Sequence, residues 1–178
     1  MANREALREL QTRLATRLQA ARSEGASVAW LAVKAGTGNY LLPLAQSGEI
    51  FPLSGLQPVP YSQKWFLGVL NIRGGLYGVV SLSGFVTQQE DRDTVVDSPG
   101  GMDASVVTIN PLLEINCALK VDSLSGLRGP DAFTASAEPS DGAPAYFGNS
   151  FVDTDGIRWQ EINLRILSQY PQFLSISA

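Results

Sequence analysis

The stretch from Phe66 to Val80 reads F-L-G-V-L-N-I-R-G-G-L-Y-G-V-V and decides the fold. Apolar residues alternate with Asn71 and Arg73, and two glycines then precede a second apolar run. Alternation with a period of two is typical of a strand that buries one face, and glycine supplies the positive φ of a tight turn. The stretch therefore predicts a β-hairpin with strands at 66–72 and 76–82, and with Asn71 and Arg73 on its polar side.

Short apolar runs of the same kind occur on both sides of this hairpin, separated by many of the 17 glycines and 10 prolines. Further strands are predicted at 28–34, 39–45, 49–53, 105–110, 113–121, 146–152 and 157–162. Long loops are predicted at 87–102, which is polar and acidic, and at 127–142, which is rich in Gly, Pro, Ser and Ala. Asn163 is expected to cap a short closing helix, 164–168, which Pro171 ends. The pattern predicts an all-β fold with few helices.

The N-terminal segment has a different period. Leucines recur at spacings of three and four between residues 3 and 22, which predicts an amphipathic helix. The stripe consists of Leu7, Leu10, Leu14, Leu18 and Ala21. The chain is therefore divided into an N-terminal helix, 1–25, and a β-rich domain, 26–178. Docking of the stripe on the protein's own sheets is favoured over docking on a partner, and both alternatives stay open.

The composition argues against several classes of function. The chain contains no histidine and one cysteine, Cys117, so it cannot build a Ser-His-Asp or Cys-His catalytic system, or a zinc site of imidazoles and thiolates. Cys117 lies in an apolar run and is predicted to be a small core residue. No basic stripe runs along the body of this chain of net charge −4, which disfavours nucleic-acid binding. We expect neither an enzyme nor a bound cofactor.

Two further patterns bear on ligands and on location. The sequence Asp153-Thr154-Asp155-Gly156 resembles the start of a calcium loop, but its glycine is at position 4 and Leu164 stands at position 12. It therefore predicts a hairpin turn and no metal site. No apolar run reaches the ~18 residues that span a bilayer, and no secretory signal is present. A cytoplasmic protein without direct membrane insertion is expected.

The hairpin segment resembles the CheW family of chemotaxis coupling proteins. The family pattern is an aromatic or apolar residue, then Gly-Val-Ile or Gly-Leu-Ile, then Asn-Leu-Arg-Gly, then an apolar run of the Val-Ile-Asp-Leu type. Residues 67–74 and 79–82 resemble this pattern, with Ser81 in place of the Asp. The segment 42–50, which ends in Glu49-Ile50, and the proline loop 58–60 extend the likeness upstream. The N-terminal helix and the form of the hairpin are most similar to the PilI branch, which serves type IV pilus twitching motility.

The resemblance implies two small five-stranded β-barrels that share a core. It implies a non-catalytic adaptor that binds the cytoplasmic tip of a chemoreceptor and a regulatory domain of a CheA-type histidine kinase, within a membrane-associated receptor array. A weak internal repeat agrees with two barrels, since Gly68 and Gly148 each follow an aromatic-containing pair and precede a hairpin.

The partner-binding residues implied by the resemblance are Glu49, Gly68, Asn71, Arg73 and Gly74. Glu49 and Arg73 are predicted to form an ion pair close to a receptor-facing groove. Gly68 and Gly74 are predicted to allow close backbone approach or a positive φ.

The sequence departs from the family pattern at Ser81, where an Asp is common, and no role is transferred to that serine. Leu76 and Tyr77 are further candidates for an apolar partner patch. Two alternatives stay open: a β-barrel with a small-molecule pocket between its two barrels, and a hydrolase that uses two buried carboxylates.

Overall fold

The computed structural model describes residues 2–23, 30–89 and 104–178. The strands are β1 Trp30–Ala35, β2 Gly38–Pro43, β3 Ser47–Pro52, β4 Phe66–Ile72, β5 Gly75–Ser81, β6 Ser105–Ile109, β7 Cys117–Val121, β8 Ser123–Arg128, β9 Phe133–Ala137, β10 Phe147–Asp153 and β11 Arg158–Ile162. The helices are α1 Ala2–Ser23, α2 Leu82–Gln89, α3 Leu164–Ser168 and α4 Pro171–Leu174. Three 3-10 turns lie at Leu44–Gln46, Pro111–Leu113 and Pro130–Ala132.

The strands form two sheets with the same plan. One sheet has the order β3-β6-β7-β5-β4, and the other has the order β8-β1-β2-β11-β10-β9. In each sheet an edge strand, β3 or β8, lies beside an antiparallel pair of strands. One strand of that pair runs parallel to a strand of a second antiparallel pair. Each sheet therefore combines strands from both halves of the chain, as expected for two interlocked copies of one β-unit.

The predicted internal repeat has a counterpart in this plan. A bulge interrupts the pairing of β4 with β5 between Phe66 and Gly68, and another interrupts the pairing of β10 with β11 between Phe147 and Ser150. Gly68 and Gly148 thus occupy equivalent irregular positions in the two sheets. A bulge shifts a strand by one residue and so changes which face its side chains occupy.

Three apolar clusters hold the fold together. The largest lies between the sheets and contains residues from both, including Leu31, Leu42, Val80, Leu119 and Ile162. A second cluster lies on the other face of the five-stranded sheet, and a third lies on the other face of the six-stranded sheet around Trp30 and Trp159. The prediction of an all-β fold with two sheet units on a shared core is confirmed. The pairing differs in detail, since the sheets have five and six strands in open order.

The N-terminal helix docks on the protein itself. Leu14 and Leu18 are buried and belong to the shared core, and α1 lies against β3, β8 and the turn Leu44–Gln46. Leu10 is 49% exposed, so the buried face is narrower than the leucine stripe. The division into 1–25 and 26–178 stays a prediction.

Two segments predicted to be loops contain regular structure. Most of 127–142 is ordered, because β8 runs to Arg128 and β9 forms an edge strand whose side chains are mainly exposed. An exposed edge strand lacks the apolar alternation by which strands are recognised. The start of 87–102 belongs to α2, which ends at Gln89, and residues 90–103 lie outside the described ranges.

Smaller corrections concern the ends of elements. The first strand is described from Trp30, so its predicted start at Val28 lies outside the described residues. The strand predicted at 113–121 begins at Cys117, because residues 111–113 form a 3-10 turn. Asn163 caps α3 as predicted, since its side chain accepts a hydrogen bond from the Ile166 backbone N–H. Pro171 follows α3 but also begins α4.

Candidate functional site

The candidate site is built on the β4–β5 hairpin. Ile72 pairs with Gly75, so Arg73 and Gly74 alone form the turn, with φ values of +50° and +82°. Two successive positive φ values are characteristic of the type I′ turn, whose twist matches that of the flanking strands. The Asn71 side-chain oxygen accepts a hydrogen bond from the Gly74 backbone N–H at 3.1 Å, which braces the turn from the preceding strand.

Arg73 occupies a backbone conformation that suits other residues better. Type I′ turns favour Asn, Asp and Gly, because a left-handed conformation costs most L-residues roughly 1–2 kcal/mol. The side chain of Arg73 is 72% exposed, so burial does not offset this cost. Unfavourable backbone geometry that persists at an exposed position is a feature of functional sites.

The predicted ion pair between Glu49 and Arg73 is present. Arg73 Nη1 lies 2.9 Å from Glu49 Oε2 and 3.0 Å from Oε1, and the Arg73 guanidinium also lies over the Phe51 ring, 5.5 Å from its centroid. Glu49 and Phe51 are two residues apart on β3, so they project to the same face of that strand. They hold the guanidinium on two sides.

Thr108 on the neighbouring strand fixes the position of Glu49. The Glu49 backbone N–H donates to Thr108 Oγ1 at 2.7 Å, within an irregular stretch of the β3–β6 pairing. A Cβ on Gly48 would overlap the Thr108 hydroxyl, so this approach requires glycine. Sequence reasoning missed Thr108 and Phe51, because only the pairing of the strands brings them to this site.

Gly68 allows the loop before β4 to pack closely against that strand. Its φ is +141°, and a Cβ there would overlap the Gln57 carbonyl oxygen. Gln57 and Val69 exchange backbone hydrogen bonds of 2.8 and 2.9 Å, which join the loop before β4 to the edge of that strand. The predicted close backbone approach at Gly68 is confirmed, as is the positive φ at Gly74, where a Cβ would meet open space.

Exposed leucines lie at the same end of the five-stranded sheet. Strands β5 and β7 are parallel, with Gly78 opposite Cys117, so the segments that precede these residues share one end. Leu76 is 61% exposed there, and Leu112, on the 3-10 turn before β7, is 86% exposed. Exposed apolar side chains on ordered turns, near a charged pair, form a surface suited to protein contacts.

The arrangement agrees with a known family. The family model of the CheW-like domain matches residues 29–162, which is most of the chain. The chain belongs to the CheW-like domain family. Among solved structures, that of the scaffolding protein TtCheW from Thermoanaerobacter tengcongensis is similar, with a TM-score of 0.62 and 13% identity, over 85% of this chain and 98% of that one. In a comparison with curated protein sequences, none matches this chain.

Ser81, the position at which the sequence departs from the expected family pattern, is the last residue of β5 and directly precedes α2. Its Oγ accepts a hydrogen bond from the Gly84 backbone N–H at 3.0 Å, which is the geometry of a helix N-cap. Ser and Asp are both favoured at that position, so the departure from the pattern leaves the capping interaction in place. Nearby, the buried Lys120 of the neighbouring strand pairs with Asp122 at 3.0 Å.

The second hairpin of this CheW-like domain closes through Asp153. The backbone N–H groups of Asp155 and Ile157 donate to its Oδ1, and Trp159 Nε1 donates to its Oδ2, each at 2.9 Å. The Trp159 hydrogen bond is the largest influence on the pKa of Asp153, and together with the two backbone donors and nearby Arg128 it lowers that pKa despite the opposing effect of burial. All three donors favour the ionised carboxylate, and the segment is a hairpin turn as predicted.

Cys117 is a core residue of the CheW-like domain, as predicted. It is 5% exposed and lies in the shared core. Burial raises the pKa of its thiol to about 12, so the reactive thiolate is scarce at neutral pH.

The features that would favour the two alternative functions are missing from the described residues. A groove of about 1060 Å³ runs along the six-stranded sheet between Thr37–Tyr40 and Ala137–Ala145, but it is open to solvent and does not lie between the two sheets. Asp153 is the one buried carboxylate in the described ranges, so no buried acidic pair is found there. The same ranges hold no cluster of three or more potential metal ligands, and none of their helices is both long and apolar enough to span a bilayer.

Proposed function

We propose that this protein is a non-catalytic adaptor that couples chemoreceptors to a CheA-type histidine kinase in a chemosensory array. Three observations support the proposal: membership of the CheW-like domain family, structural likeness to a protein described as a scaffold, and the geometry of Arg73. Such an adaptor transmits a signal by holding two partners in a fixed relation, so that the state of one biases the state of the other.

The observation that carries the proposal is the placement of Arg73. The residue stands in a turn that Asn or Gly would stabilise better, and its guanidinium is exposed yet held by Glu49 and Phe51. A guanidinium has five N–H donors in a planar fork, and the pair with Glu49 uses those of Nη1. The exposed remainder suits a carboxylate on a partner protein.

The proposed contact surface consists of Glu49, Asn71, Arg73 and Gly74, with Gly68 acting through the shape of the hairpin. Leu76 adds an exposed apolar contact beside the charged group, and Tyr77 is a weaker candidate because it is half-buried. Charged rims around small apolar centres are typical of interfaces between proteins. In an array, many weak contacts reinforce one another, so each surface can be small.

The partners are the cytoplasmic tip of a methyl-accepting receptor and a regulatory domain of the kinase. We propose that the protein works in the cytoplasm beside membrane-bound receptor arrays, without nucleic acid, cofactor or direct insertion into the membrane. The leucine-striped helix α1 and the form of the β4–β5 hairpin support assignment to the PilI-type branch, whose output is type IV pilus twitching motility.

Pairwise binding tests the proposal. The chain is immobilised and challenged separately with the histidine kinase and with the receptor-tip fragment encoded beside it, and Arg73→Glu is compared with Arg158→Glu. Both arginines are exposed, but Arg158 lies on the six-stranded sheet. We expect Arg73→Glu to weaken binding of at least one partner by ~10-fold or more and Arg158→Glu to leave binding of that partner unchanged. If the unmutated chain binds neither partner, the proposal is wrong.

A further inference from the structure

A bulge in β3 determines which face of the strand Glu49 occupies. Gly48 and Glu49 together stand opposite the single residue Thr108 of β6. Strict alternation would put Glu49 on the same face as Ser47, which pairs with a residue of the shared core. The extra residue reverses the alternation, so Ile50 enters the shared core instead and Glu49 lies on the opposite face, toward the β4–β5 turn.

The Thr108 hydroxyl holds this bulge in place. It accepts a hydrogen bond from the Glu49 backbone N–H at 2.7 Å and donates one to the Glu49 carbonyl oxygen at 3.3 Å. A bulge interrupts the ladder, so a side chain that satisfies both backbone groups of the bulged residue stabilises the irregular pairing. Thr108 is 5% exposed, which keeps water from competing for these groups. Valine has nearly the same shape as threonine but makes neither hydrogen bond.

The position of Glu49 determines which donors Arg73 presents to solvent. Both carboxylate oxygens of Glu49 contact one nitrogen, Nη1, at 2.9 and 3.0 Å. The Phe51 ring covers one face of the guanidinium, with its centroid 5.5 Å from the central carbon. Among the described residues, none makes a hydrogen bond with Nε or Nη2 of Arg73. These two nitrogens form an edge whose N–H groups match the two oxygens of a carboxylate.

We propose that Thr108 is a positioning residue for partner recognition. By holding the bulge it keeps Glu49 on Nη1, and the Nε–Nη2 edge of Arg73 then binds an aspartate or glutamate of the partner. This inference rests on the proposed function, which assigns the partner contact to Arg73. Without the hydroxyl, the bulge relaxes and the Glu49 carboxylate moves onto the Nε–Nη2 edge, where it competes with the partner's carboxylate. Thr108 is buried and itself makes no contact with the partner.

Proton–nitrogen NMR of the Arg73 Nε–Hε group tests the positioning without a partner. Thr108→Val should move this resonance downfield, because Glu49 then accepts a hydrogen bond from Nε. Thr108→Ser keeps the hydroxyl and should leave the resonance near its wild-type position. Thr134→Val, which removes a threonine hydrogen bond on the other sheet, is the matched control and should leave the resonance unchanged. An unmoved resonance in Thr108→Val, or an equal shift in Thr108→Ser, would overturn the proposal.

Calorimetric titration with the receptor tip and with the kinase measures the effect on recognition. Thr108→Val should weaken binding of the partner that Arg73 contacts by ~5-fold or more, and Thr108→Ser should weaken it by less than ~2-fold. In a Glu49→Ala background, Thr108→Val should cause no further loss of binding, because it acts through the Glu49 carboxylate. Independent losses that multiply in the double variant would show that Thr108 contributes to stability alone.

A measurement on the unmutated chain decides the outcome if Thr108→Val does not fold, as judged by circular dichroism. Saturation with the partner should move the Arg73 Nε–Hε resonance, because the partner's carboxylate binds at that edge. A resonance that stays in place at saturation would contradict this inference and leave the proposed function intact. If the unmutated chain binds neither partner, the proposed function fails and this inference fails with it.

Discussion

The ion pair between Glu49 and Arg73 joins opposite edges of one sheet. Glu49 lies on β3 and Arg73 follows β4, which are the two outer strands of the order β3-β6-β7-β5-β4. Their contact at 2.9 Å therefore requires the sheet to curl until its edges meet. The two side chains link the edge strands β3 and β4, between which no backbone pairing is present, and so help to hold the curled shape of the sheet that presents the hairpin.

A charge swap separates this internal role from contact with a partner. Glu49→Arg and Arg73→Glu should each weaken partner binding, and the combined variant restores an ion pair of reversed polarity. Because the Arg73 side chain is 72% exposed, we expect all three variants to lie within about 1 kcal/mol of wild type in free energy of unfolding, measured with urea. Partner binding should stay weak in the combined variant. Recovery of binding would mean that the pair acts only within the fold.

Arg73→Asn tests whether the turn sacrifices stability for function. Asn tolerates positive φ, so relief of the turn should raise the free energy of unfolding by about 1 kcal/mol. Loss of the ion pair should lower the same free energy by about 0–1 kcal/mol. We expect urea unfolding to show equal or higher stability, while calorimetric titration with the proposed partners shows binding weakened by ~10-fold or more. Arg73→Lys is the control, because lysine keeps the positive charge and is equally unfavourable at positive φ. It should bind with intermediate strength, because lysine lacks the planar guanidinium with its several N–H donors. Loss of stability without loss of binding would contradict this account of Arg73.

Gly68 and Gly74, two of the glycines of the hairpin, should differ in their sensitivity to substitution. Gly74→Ala adds a Cβ in open space at positive φ, so it should lower the free energy of unfolding by about 1 kcal/mol. Gly68→Ala places a Cβ against the Gln57 carbonyl, which should break the exchange of hydrogen bonds with Val69 and cost roughly 2–4 kcal/mol. Equilibrium unfolding in urea measures both. Equal losses in free energy of unfolding would contradict this expectation, since they would show that the loop before β4 can shift to accommodate the new Cβ.

Asp153 should make stability depend on acid pH. Its pKa is lowered from the ordinary value of 3.8 by the Trp159 hydrogen bond and the two backbone donors. The stabilisation is therefore complete above about pH 3.8 and is lost as the pH falls through the lowered pKa of the folded state. Asp153→Asn should unfold at lower urea concentration at pH 7 and should lose less stability between pH 5 and pH 2. Asp155→Asn, at the exposed corner of the same turn, should keep the wild-type pH profile.

The hairpin was predictable from sequence because its signals are local. The alternation from Phe66 to Ile72 and the glycines after Arg73 define two strands and a turn, and the observed β4 has the predicted bounds. The Glu49–Arg73 pair was predicted through the family resemblance, since nothing local relates residues 24 positions apart. Thr108 and Gln57 could not be predicted, because their roles depend on which strands pair and where bulges fall.

Other elements were missed for physical reasons that differ. The strand β9 is exposed at a sheet edge and has no buried face. Its sequence therefore lacks the alternation of apolar and polar residues by which strands are recognised. The helix α2 is short and contains Gly84, so its intrinsic helix propensity is low; capping by Ser81 and burial of Phe85 stabilise it. In both cases tertiary contacts determine a structure that local sequence preferences do not.

The central claim is that this protein connects a receptor to a kinase, and a bridging assay tests it most directly. A tagged receptor-tip fragment is immobilised, and retention of the histidine kinase is measured with and without this chain. The account predicts that the kinase is retained only when the chain is present, and that Arg73→Glu reduces the retained amount by ~10-fold or more. Kinase retention that is the same with and without the chain would contradict the account.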